Sequence, residues 1–532
     1  MEEEINKKVE ETIKSLLASC RLFPKPVLNM LADFHSNPQT KKAIHHRYLG
    51  NQALTNGNYK TAFNEYSSGI INNPDDPALW CNRSLAFLKL GHPELSVIDS
   101  RRAIAMINKF IADYLNNKPG LRMPLLAYGK NEDLTPEKKL TQLQVKAMFR
   151  EIQAFADLEL LPNAIYSCEQ LLQDKDIYKD VPFNWIDVQK LLVECKKKLE
   201  DGCKKYGPTY KDFVKNGANC TFRGSYWWDS RQENRMSEEI FQILTQKVSE
   251  ISSSKIEVAK VTFEESGDEY QYGLKATSDI SANTLIYEEK PFLCVNSKIK
   301  KRCDYCNQEI SKKFRYLCPR VDCKEIYCNI RCYQQAYDLY HKVMCGKDFS
   351  EIYNVVRTGI STSSLIILFL IKLFAIGKIR DTCPLDLEEI KHLRRWMAAQ
   401  LHLPSASFDF YQIVIKNLEI PIGDLRFDFW VFISCMCFLC NNMFGEQDEN
   451  SHPDFGSLQP LTSLINHNCE PNAELDLKEE LKARRKIVRG EQITISYLDW
   501  PGLTNEERSQ RLFVTYGIKC NCRKCFPYSK SY

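Results

Sequence analysis

Along the first two hundred residues, apolar positions fall at helical spacing, and the pattern itself repeats. Gly57 and Gly91 stand 34 residues apart, each at a turn between two amphipathic stretches. Leu49, Gly50, Tyr59, Ala62, Tyr66 and Pro74 alternate small and large around the first turn, and Trp80, Phe87, Leu90 and Ala103 do so around the second. A third copy reads from Lys146 through Ile152, Phe155, Ala164 and Cys168, after an inserted segment near 111–144. Paired helices of this period cannot bury their apolar face alone, so the pattern predicts a stack. Further on, residues 365–376 (broken by Lys372) and 429–440 are continuous apolar runs. Both are shorter than the roughly 20 residues that cross a bilayer, and they predict buried helices. Residues 490–497 read as a turn and a strand ending in Tyr497.

Composition narrows the class. With 532 residues, 44% hydrophobic and 26% charged, the chain predicts several globular domains. A net charge of +4 carries no electrostatic footprint demanding nucleic acid, and nothing indicates direct membrane attachment. The start, Met1-Glu2-Glu3-Glu4, lacks the basic and apolar regions of a secretion signal. The 22 cysteines are therefore expected to be thiols or metal ligands. The expected location is cytoplasmic and nuclear; the basic run Lys298-Ile299-Lys300-Lys301-Arg302 reads as a solvated face.

Cysteine spacing is the strongest local signal. Cys303 and Cys306, Cys318 and Cys323, Cys328 and Cys332, and His341 and Cys345 form four close pairs within 43 residues. Eight soft or borderline ligands suit two closed, structural tetrahedral zinc sites whose metal supplies much of the folding energy. Cys520, Cys522 and Cys525 form a further trio, leaving one tetrahedral position open.

The four pairs resemble a MYND finger. That resemblance assigns Cys303, Cys306, Cys328 and Cys332 to one zinc, and Cys318, Cys323, His341 and Cys345 to the other. The segment from Leu458 to Asn472, with Asn466-His467-Asn468-Cys469-Glu470-Pro471-Asn472, closely resembles the Asn-His-x-Cys-x-Pro-Asn motif of SET domains. Residues 272–276 and 286–292 look like the opening strands of the same domain. A SET domain interrupted by a MYND finger is the arrangement of the SMYD protein-lysine methyltransferases. The helical repeats, which resemble tetratricopeptide units, point to the fourth, repeat-bearing group of that family.

The resemblance implies a multidomain α+β fold: helical repeats, then a β-rich SET domain split by the finger, with a helical insert and a zinc-bound post-SET segment. The expected boundaries are an N-terminal helical segment over 1–42, repeats over 43–200, a connector over 201–254, and SET residues 255–302. The finger follows over 303–345, an insert over 346–454, the SET core over 455–500 and the post-SET segment over 501–532. Cys469 is expected to complete a third zinc site with Cys520, Cys522 and Cys525. S-adenosylmethionine is the implied cofactor, held by Asn466 and His467 with help from Asn442, while Tyr497 and Tyr516 shape a lysine channel.

Two positions depart from the family pattern. Tyr272 precedes Gly273 where the family has Gly-x-Gly beside the cofactor, and Ile518 replaces an aromatic that stacks on adenine. These feed the alternative reading, a weak or inactive SET-MYND scaffold that recruits chaperones or repressors. Two partner expectations follow by resemblance. Arg47, Asn51, Asn82, Lys146 and Arg150 are placed as a carboxylate clamp for the C-terminal peptides of cytosolic heat-shock chaperones. The MYND finger is expected to dock repressor or deacetylase complexes.

Overall fold

The computed structural model describes residues 37–115, 136–215, 221–222, 226–262, 270–310, 315–359, 362–395, 401–402, 406–448, 450, 452–475, 480–498, 502–516, 518, 520 and 522–525. The expected segment 1–42 lies almost wholly outside them, as does most of the insertion near 111–144. The chain divides into two compact units. One comprises Met1–Arg223, Ala399–Gln412 and Pro421–Leu425, and the other Gly224–Ala398, Ile413–Ile420 and Arg426–Tyr532.

The first unit is built from helices α1 (Pro38–Thr55), α2 (Tyr59–Asn72), α3 (Pro77–Leu90), α4 (Pro93–Leu115), α5 (Pro136–Asp157), α6 (Leu161–Gln173) and α7 (Trp185–Tyr206). Three of its turns are copies of one another. Across Gly57, Asn58 N–H donates to Ala53 C=O at 2.8 Å; the equivalent bonds are His92 to Phe87 at 2.9 Å and Leu160 to Phe155 at 2.9 Å. The residue that reverses the chain has positive φ each time: +76° at Gly57, +76° at Gly91 and +57° at Glu159. Glycine takes this left-handed conformation freely, whereas Glu159 takes it against its Cβ. Successive turns are spaced by 34 and then by 68 residues, so the insertion keeps the period.

Two ion pairs are buried among the described residues of this unit. Arg83 and Asp99 are each 1% exposed and joined at 2.6 Å. Asp76 caps α3 by accepting Ala78 N–H at 2.9 Å, and its other oxygen takes Arg47 Nη1 at 2.9 Å.

The second unit begins with α8 (Glu238–Ser252), then β1 (Ile256–Thr262), β2 (Tyr270–Ala276), β3 (Leu285–Glu288) and β4 (Leu293–Asn296). A cysteine-rich module follows, with β5 (Tyr316–Leu317), β6 (Ile326–Tyr327) and α9 (Ile330–Ala336). Next come α10 (Ile366–Ile379), α11 (Phe429–Asn442), β7 (Met443–Gln447), β8 (Pro453–Leu458), β9 (Asn466–His467), β10 (Ala473–Leu475), β11 (Glu480–Ala483), β12 (Gln492–Ile495) and α12 (Asn505–Tyr516). The strands pair as small sheets in the orders β9-β12-β2-β1, β4-β8-β7, β10-β11-β3 and β5-β6.

At the start of β1 the sides alternate: Ile256 and Val258 are buried while Glu257 between them faces solvent. Their core is shared with Ile240, Leu244 and Val248 of α8. Residues 238–252, expected within a connector, are thus a core helix of this unit, its apolar residues recurring every fourth position. Both apolar runs are buried helices. The stretch Thr362–Ile379 is apolar and long enough to pass for a membrane span, yet 72% of it is buried in the protein.

Candidate functional site

Three clusters of metal-ligating side chains are assembled in the second unit. Cys303, Cys306, Cys328 and Cys332 form one; Cys318, Cys323, His341 and Cys345 the second; Cys469, Cys520, Cys522 and Cys525 the third. Within each, all ligand atoms lie within 4.8 Å of one another. Zinc–sulfur bonds of about 2.3 Å in a tetrahedron put ligand atoms roughly 3.8 Å apart. The spacings agree: Cys306 to Cys328 is 3.8 Å, Cys318 to Cys345 is 3.6 Å and Cys469 to Cys520 is 3.9 Å. The described cysteines are all free thiols. The donor set and spacing therefore fit zinc at all three places.

The third cluster sits beside a solvent-open cleft of about 570 Å³. Its walls come from separate stretches of chain: Arg235, then Gln271 and Tyr272, then His392, Leu393 and Arg394, then Asn441 and Asn442, with Ser463, Leu464, Asn466, Tyr497, Tyr516 and Ile518 closing it. The strand pairing explains the convergence. β9 runs parallel to β12, setting Asn466 opposite Thr494 and His467 opposite Ile495. β12 pairs antiparallel with β2, bringing Ile493 to Leu274. Asn472 locks the crossing by donating to Gln492 C=O at 2.8 Å and accepting Thr494 N–H at 2.9 Å.

Asn466 Nδ2 donates to Tyr272 C=O at 3.2 Å. A Cβ at position 273 would lie 2.8 Å from that amide nitrogen, so glycine is needed there for close approach. Asn442 donates to Arg394 C=O at 3.0 Å and Phe438 C=O at 2.6 Å. Its neighbour Asn441 presents a buried Oδ1 with no partner among the described residues. A buried acceptor left open at a cleft wall marks a place for a ligand's donor.

The aromatic end is equally defined. The Tyr497 hydroxyl donates to Ile465 C=O at 2.5 Å, and the Tyr516 hydroxyl to Tyr497 C=O at 3.4 Å. Their rings lie 5.0 Å apart. Burial, then the Tyr516 hydroxyl, push the Tyr497 pKa up, with Arg394 acting the other way. This phenol stays protonated at neutral pH. The His392 imidazole is lowered to about 4 by burial, although its Nε2 hydrogen-bonds Pro460 C=O at 2.9 Å.

Four placements differ from the sequence expectation. Gly273 and His467 do not line the cleft. The His467 ring accepts the Tyr497 backbone N–H at Nδ1, 3.0 Å away, while Nε2 faces Cys469 Sγ at 3.2 Å. Its ring is thus engaged by protein groups, and burial lowers its pKa to about 4. Tyr272 does not crowd the cleft with its ring, which stacks on Phe241 at 6.1 Å and bonds Arg235 C=O at 3.1 Å. In the first unit Arg47 is withdrawn from any peptide groove. It is 3% exposed and paired with Asp76, because α3 buries its capping carboxylate and needs a counter-ion.

The other clamp candidates do converge. Asn82 Nδ2 donates to Asn51 Oδ1 at 3.0 Å, and Arg150 bonds the Cys81 carbonyl beside it. Burial and then the Arg150 charge lower the Lys146 pKa.

The family model for the SET domain matches residues 271–498, the span that holds most of the cleft. A SET and MYND domain-containing protein of Dictyostelium discoideum is 28% identical over 268 residues, covering 45% of this chain and 76% of that protein. The chain carries a SET domain and is similar to SET and MYND domain-containing proteins. N-lysine methyltransferase SMYD2 of Gallus gallus is 27% identical over 269 residues, 48% of this chain and 57% of that protein. Histone-lysine N-methyltransferase ASHR1 of Arabidopsis thaliana is 26% identical over 267 residues, 47% of this chain and 52% of that protein. Against these last two, the match spans little more than half of the relative's length.

Several residues of the SET cleft carry no sequence motif. Arg235 comes from the expected connector, and His392, Arg394 and Asn441 from the helical insert. The available signal was the density of polar side chains at Lys391–Arg395 between two apolar runs.

Proposed function

We propose that the chain is a protein-lysine N-methyltransferase using S-adenosylmethionine, with three structural zinc ions. The carrying observation is the single cleft lined by Asn442, Asn466, Tyr497 and Tyr516. Amides at one end suit a polar amino-acid nucleoside, and paired tyrosines at the other suit an aliphatic amine. Two of the relatives, from Gallus gallus and Arabidopsis thaliana, are named as lysine methyltransferases. The bound cofactor supplies an electrophilic methyl on a sulfonium centre.

Everything else asked of the protein is placement. The attacking lysine must be neutral, and with an ordinary pKa near 10.4 its deprotonation at pH 7 costs roughly 4 kcal/mol. The half-buried tyrosine pair presents aromatic surface to the amine, and the cationic sulfonium beside it would disfavour the ammonium form. Tyr497 is no base, since burial keeps its proton on. Because that proton is directed to Ile465 C=O, the oxygen lone pairs remain as acceptors that align an amine N–H. Asn466 is braced by Tyr272 C=O, and Asn441 Oδ1 is the open acceptor for a cofactor donor. Zinc at Cys469, Cys520, Cys522 and Cys525 would fix the post-SET segment bearing Tyr516 and Ile518 against the Asn466–Cys469 stretch.

For partners, the helical stack resembles tetratricopeptide repeats, and we read Asn51, Asn82, Lys146 and Arg150 as the part of a carboxylate clamp left after Arg47 is withdrawn. Neither Lys146 nor Arg150 has a carboxylate partner among the described residues. Alanine at both should abolish binding of a peptide ending Glu-Glu-Val-Asp; unchanged affinity contradicts the clamp. The MYND-like module is read as a docking surface for repressor or deacetylase complexes, and the protein as cytoplasmic and nuclear.

Calorimetric titration with S-adenosylmethionine tests the catalytic reading. Saturable heat and a raised melting temperature are expected. No heat and no thermal shift at millimolar cofactor would leave the scaffold reading in its place.

A further inference from the structure

In the third metal cluster, Cys520, Cys522 and Cys525 come from the post-SET segment, and Cys469 comes from the Asn-His motif itself. Its sulfur lies 3.9 Å from Cys520 Sγ and 3.5 Å from Cys525 Sγ. Besides these thiols it meets the His467 ring, whose Nε2 is 3.2 Å away.

The opposite side of that ring fixes where its hydrogen sits. Tyr497 N–H donates to Nδ1 at 3.0 Å, so Nδ1 is the bare, accepting nitrogen. An imidazolium carries hydrogen on both nitrogens and could not accept this bond, whereas the neutral ring then holds its hydrogen on Nε2. Nε2–H is therefore a donor to Cys469 Sγ and is not itself a metal ligand. A zinc-bound cysteine is a thiolate, an acceptor without a hydrogen of its own, which suits this donor. The backbone around the ring is held as well. His467 stands opposite Ile495 in the parallel β9–β12 ladder, and Asn468 N–H donates to Ile495 C=O at 3.0 Å.

We propose that His467 couples the third zinc site to Tyr497, donating to a metal-bound thiolate on one side and accepting the tyrosine's backbone N–H on the other. The proposal rests on the zinc and cleft readings above. It makes His467 a positioning residue and gives the third site a part in placing Tyr497, beyond holding the post-SET segment. Hydrogen bonds to metal ligands of this kind orient the ligand, and their loss weakens metal binding roughly 10- to 100-fold. Tyr497 is held at two other points, by its hydroxyl to Ile465 C=O at 2.5 Å and by the Tyr516 hydroxyl to its own C=O at 3.4 Å. Its N–H is the point that leads through one imidazole to the metal site.

The test has two readouts on the full chain. In the first, zinc-loaded protein is titrated with a chromophoric chelator, and the third site's share is the part missing in Cys525→Ser. In His467→Leu that zinc should leave at roughly tenfold lower chelator concentration, with the other two retained as in wild type. His467→Gln, whose amide accepts from Tyr497 N–H and donates to Cys469, should recover most of the retention. In the second, tyrosine is labelled with nitrogen-15 and cadmium replaces zinc, which alters the thiolate while keeping the site closed. The Tyr497 amide signal, identified by its loss in Tyr497→Phe, should move on exchange in wild type and stay still in His467→Leu.

Unchanged retention of the third metal in His467→Leu, equal loss of all three metals, or a wild-type Tyr497 amide that ignores the exchange would overturn the coupling and leave the zinc assignment standing. A wild-type chain holding only two metals would overturn the zinc assignment at this site instead. Should His467→Leu fail to fold, the wild-type exchange decides: a moved Tyr497 amide supports the coupling, and an unmoved one contradicts it.

Discussion

The backbone N–H of Tyr497 donates to the ring Nδ1 of His467 at 3.0 Å, joining the two motifs of the SET cleft through one bond. The histidine of the Asn-His motif is thus a positioning residue for the tyrosine. A leucine there would leave a half-buried amide without its acceptor, destabilising the fold by about 1–3 kcal/mol. In His467→Leu, turnover should fall roughly 10- to 100-fold through misplacement of Tyr497. The dissociation constant of S-adenosylhomocysteine should move much less, and His467→Gln, which keeps an acceptor, should recover part of the rate. Equal losses in turnover and cofactor binding would argue against the positioning role.

His392 gives the second unit a defined acid sensitivity. Its pKa is lowered by burial to about 4, below the ordinary 6.5, so the unfolded chain binds the proton more readily than the folded one. The neutral ring's contribution is therefore full above pH 6.5 and is lost as pH falls toward 4, amounting to about 3 kcal/mol. His392→Gln should show a shallower decline in denaturant stability across that window than wild type. Parallel profiles would contradict it.

Lys372 is a buried cation inside the apolar helix α10. Its Nζ donates to Cys294 C=O at 2.8 Å, to Asp304 C=O at 2.8 Å and Oδ2 at 3.2 Å, and to Tyr340 Oη at 3.0 Å. Removing it strands the Asp304 carboxylate, so Lys372→Met should destabilise by about 3–5 kcal/mol. Adding Asp304→Asn should restore part of that loss, because the charge left behind is the larger penalty. Additive losses in the double variant would show that the two residues act separately.

Elemental analysis should find three zinc ions per chain, with Cys306→Ser and Cys525→Ser each lowering the count to two. Chelation should lower the melting temperature of the second unit, since closed zinc sites contribute folding energy directly. Only Cys525→Ser should also weaken nucleoside binding, as its cluster lies beside the cleft. A count unaffected by either substitution would remove the metal assignment.

How far the sequence reveals this architecture depends on where the information sits. The grouping of the twelve candidate metal ligands was legible because coordination is encoded in side-chain type and short spacing. The Asn466–Asn472 motif and Tyr497 were legible for the same reason. The period of the helical stack was legible through Gly57 and Gly91, and the structure adds Glu159, hidden because it holds a glycine conformation without being one. Arg47 was misplaced because its counter-ion, Asp76, lies across a helical hairpin, and burial of that pair is a tertiary fact. Arg235, His392 and Arg394 were missed because no local pattern marks a residue whose role comes from a wall built by distant strands. The core helix α8 did leave a trace in Ile240, Leu244 and Val248, which recur at a spacing of four.

The central claim is that this cleft transfers methyl groups to lysine, and labelled methyl transfer tests it most directly. Purified zinc-loaded chain is incubated with a cell extract and tritiated S-adenosylmethionine, and the acid hydrolysate is separated into amino acids. The account predicts label in methyllysine, reduced about a hundredfold in Tyr497→Phe, which keeps the ring but loses the oxygen that aligns the amine. Absence of label in methyllysine from a chain that binds the cofactor, or undiminished label in Tyr497→Phe, would contradict it.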